Sequence, residues 1–137
     1  MTVDTFDPQQ FDPSQSHGRI DDAMISRVLR AGYELTHTPD EISLDPDEVA
    51  ALSPMVTHRG WSDAAEAMAV ADIVALIRLF TLGEMMFSSW RAGAKSAVVP
   101  LVRVLKRRGE INPELISWIK ATTDNRFLPH GDLMDRL

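Results

Sequence analysis

The chain has 137 residues, 45% of them apolar and 25% charged, with no cysteine and a formal net charge of −6. That length is one domain at roughly 150 residues each, and the composition is that of an ordinary globular protein. Together these values exclude a multidomain enzyme, a disulfide scaffold, a fibrous protein, a thiolate metal site and a cysteine nucleophile.

Residues 1–18 read as an N-terminal arm outside the core. They hold a tandem repeat, Phe6-Asp7-Pro8-Gln9-Gln10 and Phe11-Asp12-Pro13-Ser14-Gln15. Each proline fixes its own φ and pushes the preceding aspartate out of helical geometry. Each unit therefore offers one aromatic anchor beside one carboxylate, which suits a docking motif or an arm that wraps a second subunit. Phe6 and Phe11 are the candidate binding residues of this segment. No basic stretch followed by an apolar run opens the chain, so no signal peptide is expected. With the absence of cysteine, this fits a cytoplasmic protein.

A single helical domain is expected over 19–137. Ile20, Met24, Val28, Ala31 and Leu35 recur at the spacing of one helical face and predict a first helix over Arg19–Leu35. Thr38-Pro39 then stops it. Asp45-Pro46-Asp47-Glu48 is a capped start with proline at the first helical position, and predicts a short helix ending at Ser53-Pro54. Met55–Gly60 reads as a loop. The main helix is expected over about 62–90. Its charges, Glu66, Asp72, Arg78 and Glu84, fall six residues apart and so step round the axis by about 120° each. Such a helix has no continuous polar face and should be buried on nearly all sides. Those charges also argue against a membrane span.

A further helix is predicted over Ser96–Arg108, with Pro100 near its start and Gly109 after its end. Asn112-Pro113-Glu114 begins the next, which ends near Thr122. A Pro-His-Gly turn follows at 129–131. One last helical turn, capped by Asp132, could dock Leu133, Met134 and Leu137 on the core. No period-two alternation persists, so the fold class is all-α, a compact bundle of about five helices round the long central one.

Several residues are candidates for function. Arg103, Lys106 and Arg107 share one helix face and could hold an anion, although cations at a helix C-terminus also serve the helix itself. Asp72 lies in the apolar run Ala69–Ala75. A carboxylate buried there needs a partner, expected from Arg59, Arg91, Arg126 or a second subunit; otherwise it is a candidate acid or base. Asp124, Arg126, His130 and Asp132 crowd an irregular segment. His130 beside an aspartate could act as a base and Arg126 could clamp an anion. Met85-Met86-Phe87-Ser88-Ser89-Trp90 reads either as core or as an interface rich in Met and Trp, which Trp61 and Trp118 could join.

Histidines 17, 37, 58 and 130 form no metal-binding spacing, so no metal is expected. No phosphate loop, Gly-x-Ser-x-Gly or dinucleotide fingerprint occurs, so no cofactor is expected. Residues 1–50 carry a net −8 and residues 51–137 a net +2, from eleven acids with three bases and nine acids with eleven bases. An acidic chain is a poor general binder of nucleic acid or anionic membrane. The asymmetry points instead to an acidic half meeting basic patches, in this chain or a partner. The expectation is a non-catalytic interaction or regulatory protein, a homodimer or other homo-oligomer, with a possible protein partner for the arm. The alternative is a small-ligand-binding protein or enzyme with a pocket near Asp72 or the 124–132 cluster.

Overall fold

The computed structural model describes residues 19–35 and 44–131. The Phe-Asp-Pro arm, the Thr38-Pro39 stop and the turn expected after Asp132 lie outside the described residues. Within them the chain forms six α-helices and no strand: α1 (Asp22–Leu35), α2 (Pro46–Leu52), α3 (Trp61–Glu66), α4 (Val70–Met86), α5 (Val98–Arg107) and α6 (Pro113–Thr122). No helix among them is long and apolar enough to cross a membrane.

The local signals form the helices they predict. The Asp45 carboxylate accepts from the Glu48 N–H at 2.9 Å, with Pro46 next in the first turn. The Asn112 side chain caps α6 in the same way, accepting from the Glu114 N–H at 2.8 Å. These contacts satisfy donors that the first helical turn leaves open. The first helix begins at Asp22 rather than Arg19, because the Asp21 carboxylate takes the Ala23 N–H and caps it there.

α4 is the central helix. Ile73, Leu76, Ile77, Leu79 and Phe80 are fully buried in it. α1 crosses it closely at Gly32, where an added Cβ would come within 2.9 Å of the Ala75 carbonyl oxygen. Val28 and Ala31 of α1 are buried, as the periodicity requires, together with Val98, Leu101, Val102, Val104 and Leu105 of α5. At about 25 cal/mol per Å² of apolar surface removed from water, burial of this set is the dominant stabilising contribution.

The central helix is shorter than the 62–90 expected. It is separated from α3 at Ala67–Ala69, where the backbone turns extended at Ala69. Nothing in Ala67-Met68-Ala69 breaks a helix locally. Arg108 stabilises the break from the far end of α5, its Nη1 donating to the carbonyls of Met68 at 2.9 Å and Ala65 at 3.2 Å. Met55–Gly60 is not simply a loop either. Ser53–Thr57 winds as a 3-10 turn that buries Met55 and Val56, and Val56 accepts from the Ala97 N–H at 2.7 Å.

Three rings tie the core together. Phe80 meets Trp61 edge-on at 5.7 Å and Trp90 at 5.9 Å. Both buried indoles are satisfied, Trp61 Nε1 donating to Met55 O and Trp90 Nε1 to Val49 O. Trp90 packs its ring against the helix at Gly83, leaving no room there for a Cβ.

Candidate functional site

Residues 85–90 divide between core and surface. Trp90 is fully buried and Phe87 half-buried against it, edge-on at 5.3 Å. Met85 and Met86 are 38% and 45% exposed. Trp61 and Trp118 do not join them: Trp61 is in the core, and Trp118 packs beneath Arg78, whose guanidinium lies 5.5 Å from its ring centre. Between α2 and residues 86–89 runs a groove of about 550 Å³. Leu44, Val49, Ala50, Met86 and Phe87 line it, with Ser53, Ser88 and Ser89 along the edges. The Trp90–Val49 hydrogen bond fixes its two walls relative to each other.

The basic stretch at the end of α5 is partly consumed by the fold. Arg107 pairs with Glu66, and Arg108 binds Glu110 at 2.7 Å as well as the carbonyls of Ala65 and Met68. Lys106 Nζ approaches His130 Nδ1 at 3.4 Å. Arg103 is exposed and makes no ion pair among the described residues.

Asp72 is half-buried in the first turn of α4. No arginine of the described residues pairs with it. Its partner is the phenol of Tyr33 on α1, which donates to Asp72 Oδ1. The reason is position: the first turn of α4 faces α1 across the Gly32–Ala75 crossing. The hydrogen bond it donates to Asp72, with burial and the nearby charge, holds the Tyr33 phenol above its ordinary range.

The 124–132 cluster does not converge on one point. Asp124 faces Arg91 at 3.9 Å on the surface, Arg126 is exposed, His130 turns to Lys106, and Asp132 lies outside the described residues. The side chain that organises this segment is Asn125. It donates to Glu84 Oε2 at 2.8 Å and to Gly93 O at 3.1 Å, and accepts from the Phe127 N–H at 3.0 Å. Glu84 is the most buried carboxylate among the described residues, 3% exposed, and also accepts from the Ala92 N–H at 3.1 Å. Its second oxygen has no hydrogen-bond partner. Sequence reasoning passed over both residues. The only signal was Glu84's place in the six-residue charge series, which it shares with three exposed or half-buried residues.

Among the described residues no three His, Asp or Glu side chains converge as metal ligands would. No family model, no curated protein and no solved structure matches the chain.

Proposed function

We propose that this is a non-catalytic interaction protein that self-associates, with the groove between α2 and residues 86–89 receiving the N-terminal arm of a second copy. The observation that carries the reading is Met86, a large apolar side chain 45% exposed where it lines an apolar groove. Contiguous exposed apolar surface marks interaction sites, and methionine suits a surface that adapts to its ligand.

Phe6 and Phe11 supply anchors of the right chemistry. A groove of about 550 Å³ is within the range of sites that enclose ring-sized groups. Successive side chains of an extended segment point to opposite sides. Phenylalanines entering the groove would thus turn Asp7 and Asp12 away from the acidic residues Asp45 and Asp47 at the start of α2. The absence of cysteine is compatible with a reducing cytoplasm, where we place the protein.

Sedimentation velocity over a wide concentration range tests this. The wild type is expected to dimerise or assemble further. Met86→Asp, and Phe6→Ala with Phe11→Ala, are each expected to weaken assembly by about thirtyfold or more, the loss typical of an interface anchor, with unchanged helical circular dichroism. A monomeric wild type would overturn the reading.

A further inference from the structure

We infer that the cavity between α4 and α6 is a binding site for a small apolar zwitterion of dipeptide length. The inference is independent of the groove between α2 and residues 86–89 and of self-association.

The cavity holds about 450 Å³, a volume within the range of small-molecule sites. Val70, Val74 and Arg78 line one side of it at i, i+4 and i+8, a single stripe along α4. Glu114 and Trp118 line the other side at i and i+4 on α6. Leu105 and Leu115, both buried, lie at its base. The two helices run in the same sense: Arg78 meets Trp118, and further along Met85 meets Thr123. The cavity therefore has two different ends. Arg78 and Trp118 stand at one, and Glu114 stands at the other with Glu110 from the turn before α6.

At the first end two donors lack acceptors. The Arg78 guanidinium lies over the Trp118 ring, 5.5 Å from its centre, in a cation–π contact. Arg78 is exposed and makes no ion pair among the described residues. The indole N–H of Trp118 meets no acceptor among the described residues, unlike those of Trp61 and Trp90. The ring supports the guanidinium from one side and leaves its N–H fork open. That fork matches a carboxylate.

At the second end the charge is reversed. Glu110 already holds Arg108 at 2.7 Å. Glu114 is exposed and makes no ion pair among the described residues, so an ammonium is its complement. Between the ends, Val70, Val74 and Leu115 offer a wall for aliphatic side chains. Glu114 precedes Trp118 by four residues, about 6 Å along the helix. The ends of an extended dipeptide stand about 7 Å apart. In a free amino acid both charges sit on one carbon and cannot reach both ends.

The test titrates leucyl-leucine into the full-length, 15N-labelled protein. The indole N–H resonance of Trp118, assigned with Trp118→Phe, is expected to shift, while those of Trp61 and Trp90 stay in place. Leucyl-leucine should bind about tenfold more tightly than L-leucine, leucyl-leucinamide or N-acetyl-leucyl-leucine, the loss expected for one charge-assisted hydrogen bond. Arg78→Gln should abolish the preference over leucyl-leucinamide, and Glu114→Gln the preference over N-acetyl-leucyl-leucine. Both side chains are exposed, so helical circular dichroism should be unchanged. A Trp118 resonance unmoved by millimolar leucyl-leucine, equal affinity for L-leucine, or preferences that survive both substitutions would overturn the inference.

Discussion

Asn125 donates its side-chain amide to Glu84 Oε2 at 2.8 Å, and so fastens the segment after α6 to the end of the central helix. The same amide reaches Gly93 O, and the same carboxylate oxygen takes the Ala92 N–H. Three stretches of chain meet at one buried carboxylate. Hydrogen bonds to a charged group are stronger than neutral ones, and removing one partner leaves buried donors unsatisfied. Glu84→Ala is therefore expected to destabilise the fold by about 3 kcal/mol. Asn125→Asp should cost more than Asn125→Ala, because it sets a second carboxylate against Glu84 where the amide was. Urea denaturation of the four proteins, followed by tryptophan fluorescence, measures both effects. Equal stability of the two Asn125 variants would show that Glu84 is not held as described.

Gly83 is needed because of what lies on it. A Cβ there would overlap the Trp90 ring, which is fully buried and fixed at its far side by Val49 O. The indole cannot swing into solvent to make room. Gly83→Ala is expected to lower stability by about 1–3 kcal/mol, the cost of overpacking a core, despite the higher helix propensity of alanine. It should also alter the near-ultraviolet circular dichroism, which reports the Trp90 environment. Because Trp90 backs the groove wall at Val49, the same change is expected to weaken self-association.

The Tyr33–Asp72 bond implies a pH dependence with a definite sign. The hydrogen bond to Asp72, then burial, then the charge itself, raise the phenol above its usual value of about 10. The folded state thus holds the proton more tightly than the unfolded chain. The stability this contributes is complete below pH ~10 and is lost as pH rises through the folded-state value. Tyr33 is the chain's only tyrosine, so absorbance at the phenolate band reads its titration directly. The midpoint is expected above that of the urea-unfolded protein. Tyr33→Phe should remove the corresponding loss of stability between the two midpoints. A folded-state midpoint at or below the unfolded one would contradict the geometry.

What could be read in the sequence depended on how far apart the partners are. The caps at Asp45 and Asn112 each act on a backbone N–H two or three residues on, so residue type and spacing suffice to place α2 and α6. The buried face of α1 and the burial of α4 follow from periodicity in the same way. Glu84 and Asp72 show the limit. Both are acids in an apolar helix, twelve residues apart. Asp72 meets solvent and a tyrosine on α1, whereas Glu84 is sealed by Asn125, forty-one positions away. Nothing local distinguishes them, and an apolar setting in sequence drew attention to the less buried of the two. The charge asymmetry between the two halves was likewise visible, but none of the ion pairs among the described residues joins 1–50 to 51–137. The 85–90 cluster was legible as a choice between core and interface; the structure buries its tryptophan and exposes its methionines.

The break between α3 and α4 was invisible for the same reason, and it yields the sharpest test of a distant cap. Arg108 offers one nitrogen to the carbonyl of Met68 and to that of Ala65, which also accepts the Met68 N–H at 3.0 Å, while Nε holds Glu110 at 2.7 Å. A planar guanidinium can do this with several fixed donors, whereas a lysine ammonium is a single mobile point. Arg108→Lys keeps the charge, so any loss reports geometry. It is expected to destabilise the protein by about 1–2 kcal/mol, the sum of two partly exposed hydrogen bonds. Arg107→Lys alters a surface pair with Glu66, both side chains at least half exposed, and such pairs contribute little. Its expected change is within about 0.5 kcal/mol. Hydrogen exchange separates the cases further. Arg108→Lys should speed exchange of the α3 amides while leaving those in the middle of α4 protected, because Ile73–Phe80 are held by the core and not by the cap. Equal effects of the two substitutions would mean that the break is maintained by something other than Arg108.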